Sequence, residues 1–398
     1  MKTAIVIGGG ISGCSTAYSL AQRGITVTLI ERHDKLAQEA SGNPVAVLYP
    51  KLSTKPNLAD TLTLQGFAFT LALLKELPQT KLFEACGLIQ LAYHAREEAK
   101  QARLLQQDVY QPFLQAVSAQ KASEIAGIAL KTGGLLLSQA GWVKPQALCN
   151  TLCQHPNITQ MTASNALSIK KNSRQWQVLI QQNQPLKADI VVICNANDVT
   201  QFNQISSAKI TPVRGQINFF SENSVSQQLK TIVSSDHFIA PSVDDIHSIG
   251  TSYAIDHSNR HLNAALSASD THTNLQALRN ISPDIYASLL ELTGRVAWRS
   301  ATLDYMPLAG QLLDEAAITA KPPRYNAVPE SLPWLQGLYV NAGHGSKGMI
   351  TAPICGELIA NLANQEPLIV EAALASRLNP SRFLLRELGL KQLAQSLV

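Results

Sequence analysis

The chain has 398 residues, of which 45 % are hydrophobic and 15 % are charged, and its formal net charge at pH 7 is +4. This length predicts two packed domains, and this composition excludes a disordered chain. The sequence contains neither the roughly 18 consecutive apolar residues of a membrane span nor a C-x-x-C pair, so we expect a cytoplasmic protein with free thiols and no metal site.

The first predicted elements form a βαβ unit around a glycine-rich turn. An apolar strand over 3–8 leads into a G-x-G-x-x-G motif, a helix follows, and "ITVTLIE" (25–31) is a second strand. In this context the motif predicts that a dinucleotide pyrophosphate binds at the start of the helix, beside Gly8, Gly9, Gly10, Ile11, Ser12 and Gly13. Glu31 is placed to accept hydrogen bonds from a ribose. The acid disfavours NADP despite the neighbouring Arg32, and it leaves NAD and FAD open.

Further elements are predicted along the rest of the chain. Helices are expected over 59–77 and 93–109, an alternating strand over 174–181 and a continuous apolar strand over 187–197. Three β-like segments ("KITPVRGQINFF", "HFIAPS" and "IHSIGTSY") precede helices over 272–290, and a strand over 337–345 leads into a helix over 346–363. Nucleotide-binding patterns thus occur at both ends and in the middle. We therefore predict a discontinuous cofactor domain (1–58, 140–207 and 330–398) and a substrate domain (59–139 and 208–329).

Four motifs then occur in a familiar order. They are the glycine fingerprint with Glu31, "ASGN" (40–43), "TPVRGQ" (211–216) and "GLYVNAGHGSKGMITAPICGELIA" (337–360), and "RVAWRSATLDYMPLAG" (295–310) lies between the last two. Together they resemble the FAD-dependent amine oxidases of the D-amino acid oxidase and glycine oxidase type over nearly the whole chain. The resemblance implies FAD as the cofactor and an α/β fold, in which a Rossmann-like FAD-binding domain carries an inserted substrate domain with a mixed or antiparallel sheet.

The resemblance also implies site residues. The cofactor is expected to contact Ser41, Gly42, Ala166, Asn195, Ala196, Gly343, His344, Gly345, Ser346, Lys347, Gly348 and Met349. Arg299 stands where related enzymes anchor the substrate carboxylate, although an ordinary salt bridge to Asp304 or Glu357 is the alternative. The remaining catalytic candidates are Tyr49 and Lys51, facing the flavin ring, and Lys347, adding positive charge beside it.

Some of these residues have plainer interpretations as well. Lys51 equally fits a solvated lysine after a Tyr-Pro turn, and His344 fits a packed loop histidine better than a catalytic base. For Arg214 we favour a role in domain packing.

Within this superfamily, "SGNPVAVLYPKLS" and "GHGSKGMITAPICGELIA" are similar to the oxidoreductase half of the bifunctional enzymes that complete 5-methylaminomethyl-2-thiouridine in tRNA. That family usually has Gly at the position of Ala46 and often Arg at the position of Lys347. The similarity implies that the carboxymethyl group of 5-carboxymethylaminomethyl(-2-thio)uridine at the tRNA wobble position leaves as glyoxylate. The methyltransferase half has no counterpart in the sequence, so we expect a stand-alone oxidoreductase or an excised domain, with a methyltransferase domain or chain as a possible partner.

For tRNA, the candidate phosphate contacts are "KKNSR" (170–174) and the basic residues Arg377, Arg382, Arg386 and Lys391, although solvated turns and helix faces show the same pattern. Two other functions stay open. A small-molecule amine oxidase acting on glycine, sarcosine or a D-amino acid would turn over the free amino acid without RNA. A flavin-binding subunit would hold flavin that no amine bleaches.

Overall fold

The computed structural model describes residues 2–78, 81–172, 174–255 and 265–398. The strands, in chain order, are β1 Thr3–Ile7, β2 Thr26–Ile30, β3 Ala46–Leu48, β4 Phe83–Glu84, β5 Leu88–Leu91, β6 Gln115–Val117, β7 Gly134–Leu137, β8 Gly141–Val143, β9 Ile158–Met161, β10 Ala166–Asn172, β11 Gln175–Ile180, β12 Leu186–Ala188, β13 Ile190–Ile193, β14 Ile210–Ser221, β15 Ile232–Ser234, β16 Phe238–Ile239, β17 Ile246–Gly250, β18 Ala254–Ile255, β19 Thr293–Thr302, β20 Leu308–Leu313 and β21 Trp334–Ala342. The helices are α1 Ile11–Ala21, α2 Leu58–Glu76, α3 Ala95–Leu105, α4 Ala119–Ala126, α5 Pro145–Leu152, α6 Ala268–Ile281, α7 Pro283–Ala287, α8 Glu315–Ala320, α9 Gly348–Asn364, α10 Ala372–Leu378 and α11 Arg382–Glu387.

The first sheet is built around β1 and has the order β20-β21-β13-β1-β2-β9. Its strands are parallel except for the antiparallel pair β20–β21 at one edge. Within β1, Ala4 and Val6 belong to one hydrophobic cluster while Ile5 and Ile7 belong to another, so the two faces of the sheet are both covered. Helices α1, α5 and α9 cover the first face, and the antiparallel sheet β10–β12 covers the second.

The segment 187–197 is not the single strand that its continuous apolar sequence predicts. Strand β12 ends at Ala188 and β13 begins at Ile190. Between them, the carboxylate of Asp189 accepts hydrogen bonds from the Thr3 backbone nitrogen (2.8 Å) and from Thr3 Oγ1 (3.0 Å). The chain therefore changes sheets at this residue, because a half-buried carboxylate is satisfied there by the start of β1.

The second large sheet is mixed and carries the inserted part of the fold. Its order is β18-β14-β17-β16-β15-β5-β7-β6, with β19 paired to β14. Only β5 and β15 pair in parallel along this path, and helices α6 and α7 pack on the sheet through Leu278, Ile281 and Ile285. A Rossmann-like sheet with an inserted mixed sheet confirms the predicted fold class.

Helix α2 lies against α9, close to the first sheet. A Cβ at Gly66 would lie 2.6 Å from the Ile350 carbonyl oxygen, and Thr70 Oγ1 donates to the Met349 carbonyl at 3.1 Å. The predicted domain boundaries place this helix in the substrate domain, and that division stays a prediction.

The described residues carry neither a membrane-spanning helix nor a cluster of metal ligands. None of their helices combines the length and the hydrophobicity needed to cross a bilayer. Nor do the side chains in these ranges form a group of three or more His, Cys, Asp or Glu that could hold a metal ion.

Candidate active site

A cavity of about 740 Å³ lies where the two large sheets meet. The carboxyl ends of β1, β13 and β21 open into it on one side, and residues of β14, β17 and β19 line the other side. The crevice at the carboxyl ends of parallel strands is where ligands bind in sheets of this type. Its volume is within the range of small-molecule and cofactor sites.

The three glycines of the fingerprint meet different surroundings. Gly8 has φ of +110°, and a Cβ there would lie 2.6 Å from the Cys194 carbonyl oxygen. A Cβ at Gly13 would lie 1.7 Å from the Gly8 oxygen, so these two positions are glycine because the backbone requires it. A Cβ at Gly10 would meet only Ser41 Oγ, at 3.4 Å. Gly10 therefore keeps space open on the cavity side, where a ligand can approach the backbone.

Glu31 joins the glycine turn to the end of β2. One of its carboxylate oxygens accepts from the Gly9 nitrogen at 2.6 Å and the other accepts from the His33 nitrogen at 2.8 Å. The adjacent Arg32 is ion-paired with Glu39 at 2.7 Å and with Asp198 at 2.9 Å. The charge of Arg32 is thus balanced by carboxylates, which fits the expectation that the site does not select a 2′-phosphate.

The "ASGN" loop lies at the start of α1. Ser41 Oγ accepts a hydrogen bond from the Ile11 nitrogen at 3.1 Å, which places this hydroxyl at the positive end of the helix dipole. Gly42 faces away from the cavity, and a Cβ there would lie 2.5 Å from the Ala37 oxygen and 2.7 Å from Arg295 Nη2. Ser41 is therefore positioned towards a ligand, whereas Gly42 allows close packing behind the loop.

Arg295 holds this loop in place and was not predicted. It donates from Nη1 to Asn43 Oδ1 at 2.9 Å and from Nη2 to the carbonyl oxygens of Gln38 (2.5 Å) and Glu39 (2.6 Å). Residues four apart on a strand share a face, so Arg295 and Arg299 lie on the same face of β19. That spacing is the signal in the sequence that could have indicated Arg295.

The structure brings most of the predicted site residues together around the cavity. Those that line it are Gly8, Gly9, Gly10, Ile11, Ser12, Glu31, Arg32, Ser41, Tyr49, Lys51, Ala166, Asn195, Ala196, Arg299, Gly343, His344, Gly345, Ser346, Lys347, Gly348 and Met349. Gly13 and Gly42 do not line it, since both pack against the chain behind its wall.

Arg299 is a partly buried cation on the cavity wall. Its Nη1 donates to the Ser252 carbonyl oxygen at 3.2 Å, its Nη2 donates to Thr251 Oγ1 at 2.6 Å, and its Cζ lies 5.9 Å from the centre of the Tyr253 ring. Burial lowers the pKa of the guanidinium, and Tyr253 opposes that shift. Among the described residues no carboxylate lies within ion-pair distance of it. Since a partly desolvated charge without an ionic partner is costly, the arrangement favours an anionic ligand.

The alternative salt bridge of Arg299 is wrong, because both of its suggested partners are already paired. Asp304 is bound by Arg382 at 2.9 Å, and Glu357 is bound by Arg23 at 2.6 Å. Arg382 itself is fully buried, with 0 % of its side chain exposed, so the prediction that it contacts a tRNA phosphate is also wrong.

The turn before α9 places His344 and Lys347 beside the cavity. Asn341 Nδ2 donates to Thr16 Oγ1 at 2.9 Å, so its Oδ1 accepts from His344 Nε2 at 2.9 Å, while His344 Nδ1 contacts Thr351 Oγ1 at 2.9 Å. Burial lowers the pKa of His344 to about 3, so the ring is neutral at pH 7. This geometry supports a packed histidine over a catalytic base.

Lys347 and Lys51 bring positive charge to the same wall. Lys347 Nζ donates to Thr63 Oγ1 at 3.1 Å. Its pKa is lowered, first by burial and further by Lys51, while Asp60 opposes the shift. Lys51 is exposed, and burial raises the pKa of the neighbouring Tyr49 phenol. Both lysines can therefore act on negative charge held in the cavity.

Three buried polar atoms on the cavity wall have no hydrogen-bond partner in the described part of the chain. They are Asn195 Oδ1, Asn197 Oδ1 and Ser300 Oγ. Buried polar atoms are normally satisfied, and three orphaned atoms within residues of one cavity wall support a polar ligand there.

Most of the cavity-lining residues that the second large sheet contributes were not predicted from the sequence. Those residues are Ile217, Ser234, Asp236, His237, Phe238, Gly250, Thr251, Tyr253, Trp298 and Ser300. Alternation in "HFIAPS" and "IHSIGTSY" predicted strands there, but it does not tell which end of a strand faces the site.

The basic candidates for tRNA contacts are dispersed. Lys170, Arg174 and Lys391 are exposed, and Ser173 lies outside the described residues. Lys171 Nζ is 4.7 Å above the Trp176 ring. Arg214, predicted to be a packing residue, pairs with Asp270 away from the cavity-lining residues.

Comparisons with known proteins agree with this architecture. The family described as FAD dependent oxidoreductase (DAO) matches residues 3–362. The tRNA 5-methylaminomethyl-2-thiouridine biosynthesis bifunctional protein MnmC of Methylobacillus flagellatus is 40 % identical over an alignment of 398 positions, which covers 99 % of this chain and 61 % of that protein. Its counterpart from Ectopseudomonas mendocina is 40 % identical over 97 % of this chain and 60 % of its own length. The chain thus spans about three fifths of the curated relatives that it matches.

Solved structures share the fold. Glycine oxidase from Geobacillus kaustophilus has a TM-score of 0.78 at 20 % identity, covering 96 % of this chain and 99 % of that one. Iminodiacetate oxidase from Chelativorans sp. BNC1 has a TM-score of 0.78 at 21 % identity, covering 95 % of this chain and 98 % of that one.

Proposed function

The chain belongs to the family of FAD-dependent oxidoreductases, and from that premise we propose that it removes the carboxymethyl group from 5-carboxymethylaminomethyl(-2-thio)uridine at the tRNA wobble position. The products are 5-aminomethyl(-2-thio)uridine and glyoxylate. The observation that carries the proposal is Arg299, a partly buried, cavity-lining cation with no carboxylate partner among the described residues. Similarity to the MnmC proteins supports tRNA as the carrier of the substrate.

The residues of the cavity fit FAD. Gly10 leaves room for a pyrophosphate at the start of α1, and the orphaned oxygens of Asn195 and Asn197 lie along the same wall. Glu31 marks the ribose end of the site, and the turn before α9 supplies backbone N–H groups and Lys347 at the other end. Bound FAD supplies the two-electron oxidation of the amine.

Arg299 accounts for the choice of substrate. The group to be removed, –NH–CH₂–COO⁻, ends in a carboxylate, which a planar guanidinium binds through two parallel hydrogen bonds. Oxidation of the C–N bond to an imine removes two electrons and two protons. Water then adds to that carbon, and cleavage of the C–N bond releases glyoxylate and leaves the primary amine on the nucleoside. Arg299 orients the CH₂ group by holding the carboxylate beside it.

The other residues of the wall hold charge. His344 is neutral and hydrogen-bonded on both nitrogens, so it shapes the turn without transferring a proton. Lys347 and the N-terminus of α9 favour electron density on a group bound next to them.

The proposal is tested by anaerobic mixing of the FAD-loaded protein with tRNA that carries the carboxymethylaminomethyl group. Parallel samples receive glycine, sarcosine or a D-amino acid instead of the tRNA. We expect the modified tRNA to bleach the flavin rapidly and its nucleoside to lose the mass of the carboxymethyl group. Rapid bleaching by glycine, sarcosine or a D-amino acid, with none by the tRNA, would instead identify a small-molecule amine oxidase. Flavin that no amine bleaches would identify a binding subunit.

A further inference from the structure

The turn between β19 and β20 presents two large side chains to solvent, shortly after Ser300, which lines the cavity. Leu303 is 65 % exposed and Tyr305 is 70 % exposed, on either side of Asp304. Tyr253, which lines the cavity beside Arg299, is 52 % exposed. Burial raises the pKa of Tyr253, Tyr305 adds to that shift and Arg299 opposes it, as expected for neighbours. Tyr253 thus lies beside Arg299, and the turn continues the strand that carries Arg299.

The backbone of Tyr305 is held in an uncommon conformation. Its φ is +56°, in the left-handed region that bulky residues rarely adopt. Asp304 fixes the turn, because its Oδ1 accepts from Thr302 Oγ1 at 3.2 Å and from the Met306 nitrogen at 3.3 Å. A strained residue that persists because its surroundings fix it points to a function for its side chain.

The same turn carries surplus positive charge. Three guanidinium groups surround the single Asp304 carboxylate: Arg382 at 2.9 Å, Arg386 at 3.3 Å and Arg377 at 3.5 Å. Arg382 is fully buried, while the Arg386 and Arg377 side chains are partly exposed. One carboxylate neutralises only one of these charges, so the exposed pair remains available to anions.

We propose that the 303–305 turn, with Tyr253, is the docking platform for the RNA strand that carries the reacting side chain. A base next to the wobble position stacks on Tyr305 and Tyr253, and the adjoining phosphates contact Arg377 and Arg386. Aromatic platforms beside basic side chains are how proteins hold single-stranded RNA, and anticodon loops present such bases. A free amino acid needs only Arg299, so the inference rests on the proposed tRNA substrate.

The test uses the FAD-loaded protein and an anticodon stem-loop RNA that carries the modified wobble uridine and, next to it, the fluorescent base 2-aminopurine. Tyr305→Gly removes the ring and relieves the left-handed backbone, so a loss of binding cannot be attributed to added strain. Tyr305→Phe keeps the stacking face. Tyr325→Ala removes a tyrosine that is 88 % exposed and lies outside the cavity, and it is the matched control.

We expect Tyr305→Gly to weaken RNA binding on the order of tenfold and to restore 2-aminopurine fluorescence, which stacking quenches. In flavin bleaching, its KM for the RNA rises while its kcat stays close to the wild-type value. Tyr305→Phe and Tyr325→Ala bind as the wild type does. Arg386→Gln lowers the slope of log affinity against log salt by about one, whereas the exposed control Arg324→Ala leaves it unchanged.

Unchanged RNA affinity and quenching in Tyr305→Gly would overturn the platform and leave the proposed function intact, provided that the RNA bleaches wild-type flavin. A Tyr305→Gly defect of the same size with free sarcosine would also overturn the platform, since the 303–305 turn would then belong to a small-molecule site. Wild-type protein that neither binds the RNA nor is bleached by it would overturn both proposals.

Discussion

In the glycine fingerprint, some residues are glycine because the folded backbone requires it, and others because a bound ligand requires the space. Gly13 packs against the Gly8 oxygen, whereas Gly10 borders open space. Gly10→Val should therefore give a folded protein that lacks FAD, because the side chain takes the place of the pyrophosphate. Gly13→Val should destabilise the apoprotein itself. Flavin absorbance and thermal unfolding of both variants check this, and normal flavin content in Gly10→Val would contradict the assignment.

The proposed substrate binding depends on Arg299. Arg299→Ala should retain yellow, FAD-bound protein while kcat/KM for the modified tRNA falls roughly 10- to 100-fold, the value of a charge-assisted hydrogen-bonded pair. Arg299→Lys should recover part of this loss, since it keeps the charge without the planar fork. Stopped-flow bleaching measures the effect. Wild-type turnover in Arg299→Ala would remove the carboxylate role.

His344 makes the stability of the protein dependent on pH. Its pKa is about 3 in the folded state against 6.5 for the free side chain, so the unfolded chain binds more protons between these values. The stabilising contribution is present above about pH 6.5 and is lost as the pH falls towards 3. Urea unfolding measures this: between pH 7 and pH 5, the free energy of unfolding should fall by roughly 2 kcal/mol less in His344→Gln than in the wild type. Parallel losses in the two proteins would refute this origin.

Among the elements, β19 connects the two large sheets through Arg295. Arg295→Ala removes three hydrogen bonds to the loop at 38–43, so FAD affinity should fall on the order of tenfold, as expected for a loop that must order on binding. Arg103→Ala, on the exposed side of α3, is the control. Fluorescence titration of the apoproteins with FAD measures both, and equal affinities would show that the loop is ordered without Arg295.

The elements also show how far the sequence predicts this structure. The β1–α1–β2 unit was predictable because its glycines, periodicity and acid agree with one another. The break at Asp189 was not, since it depends on Thr3, which is 186 residues away. The same applies to the wall formed by Thr251, Tyr253 and Ser300: local alternation identifies a strand but not its partner across the cavity.

The whole molecule carries a net charge of only +4, so the proposed RNA binding has to come from local surplus charge. If two or three phosphates are contacted, tRNA affinity should fall roughly tenfold between 50 and 200 mM salt. Filter binding over a salt series measures this. A flat salt dependence would count against a tRNA-binding surface.

The reach of Arg295 across 252 residues has a consequence for the order of synthesis. The glycine turn leaves the ribosome well before its clamp on β19, and the α9 turn follows later still. The nascent chain therefore displays the complete fingerprint before the pocket is complete, and FAD can contact both ends of its site only after the α9 turn has emerged. Until β13 has been made, β1 has only β2 as a neighbour, so its other edge most needs protection from aggregation in this interval.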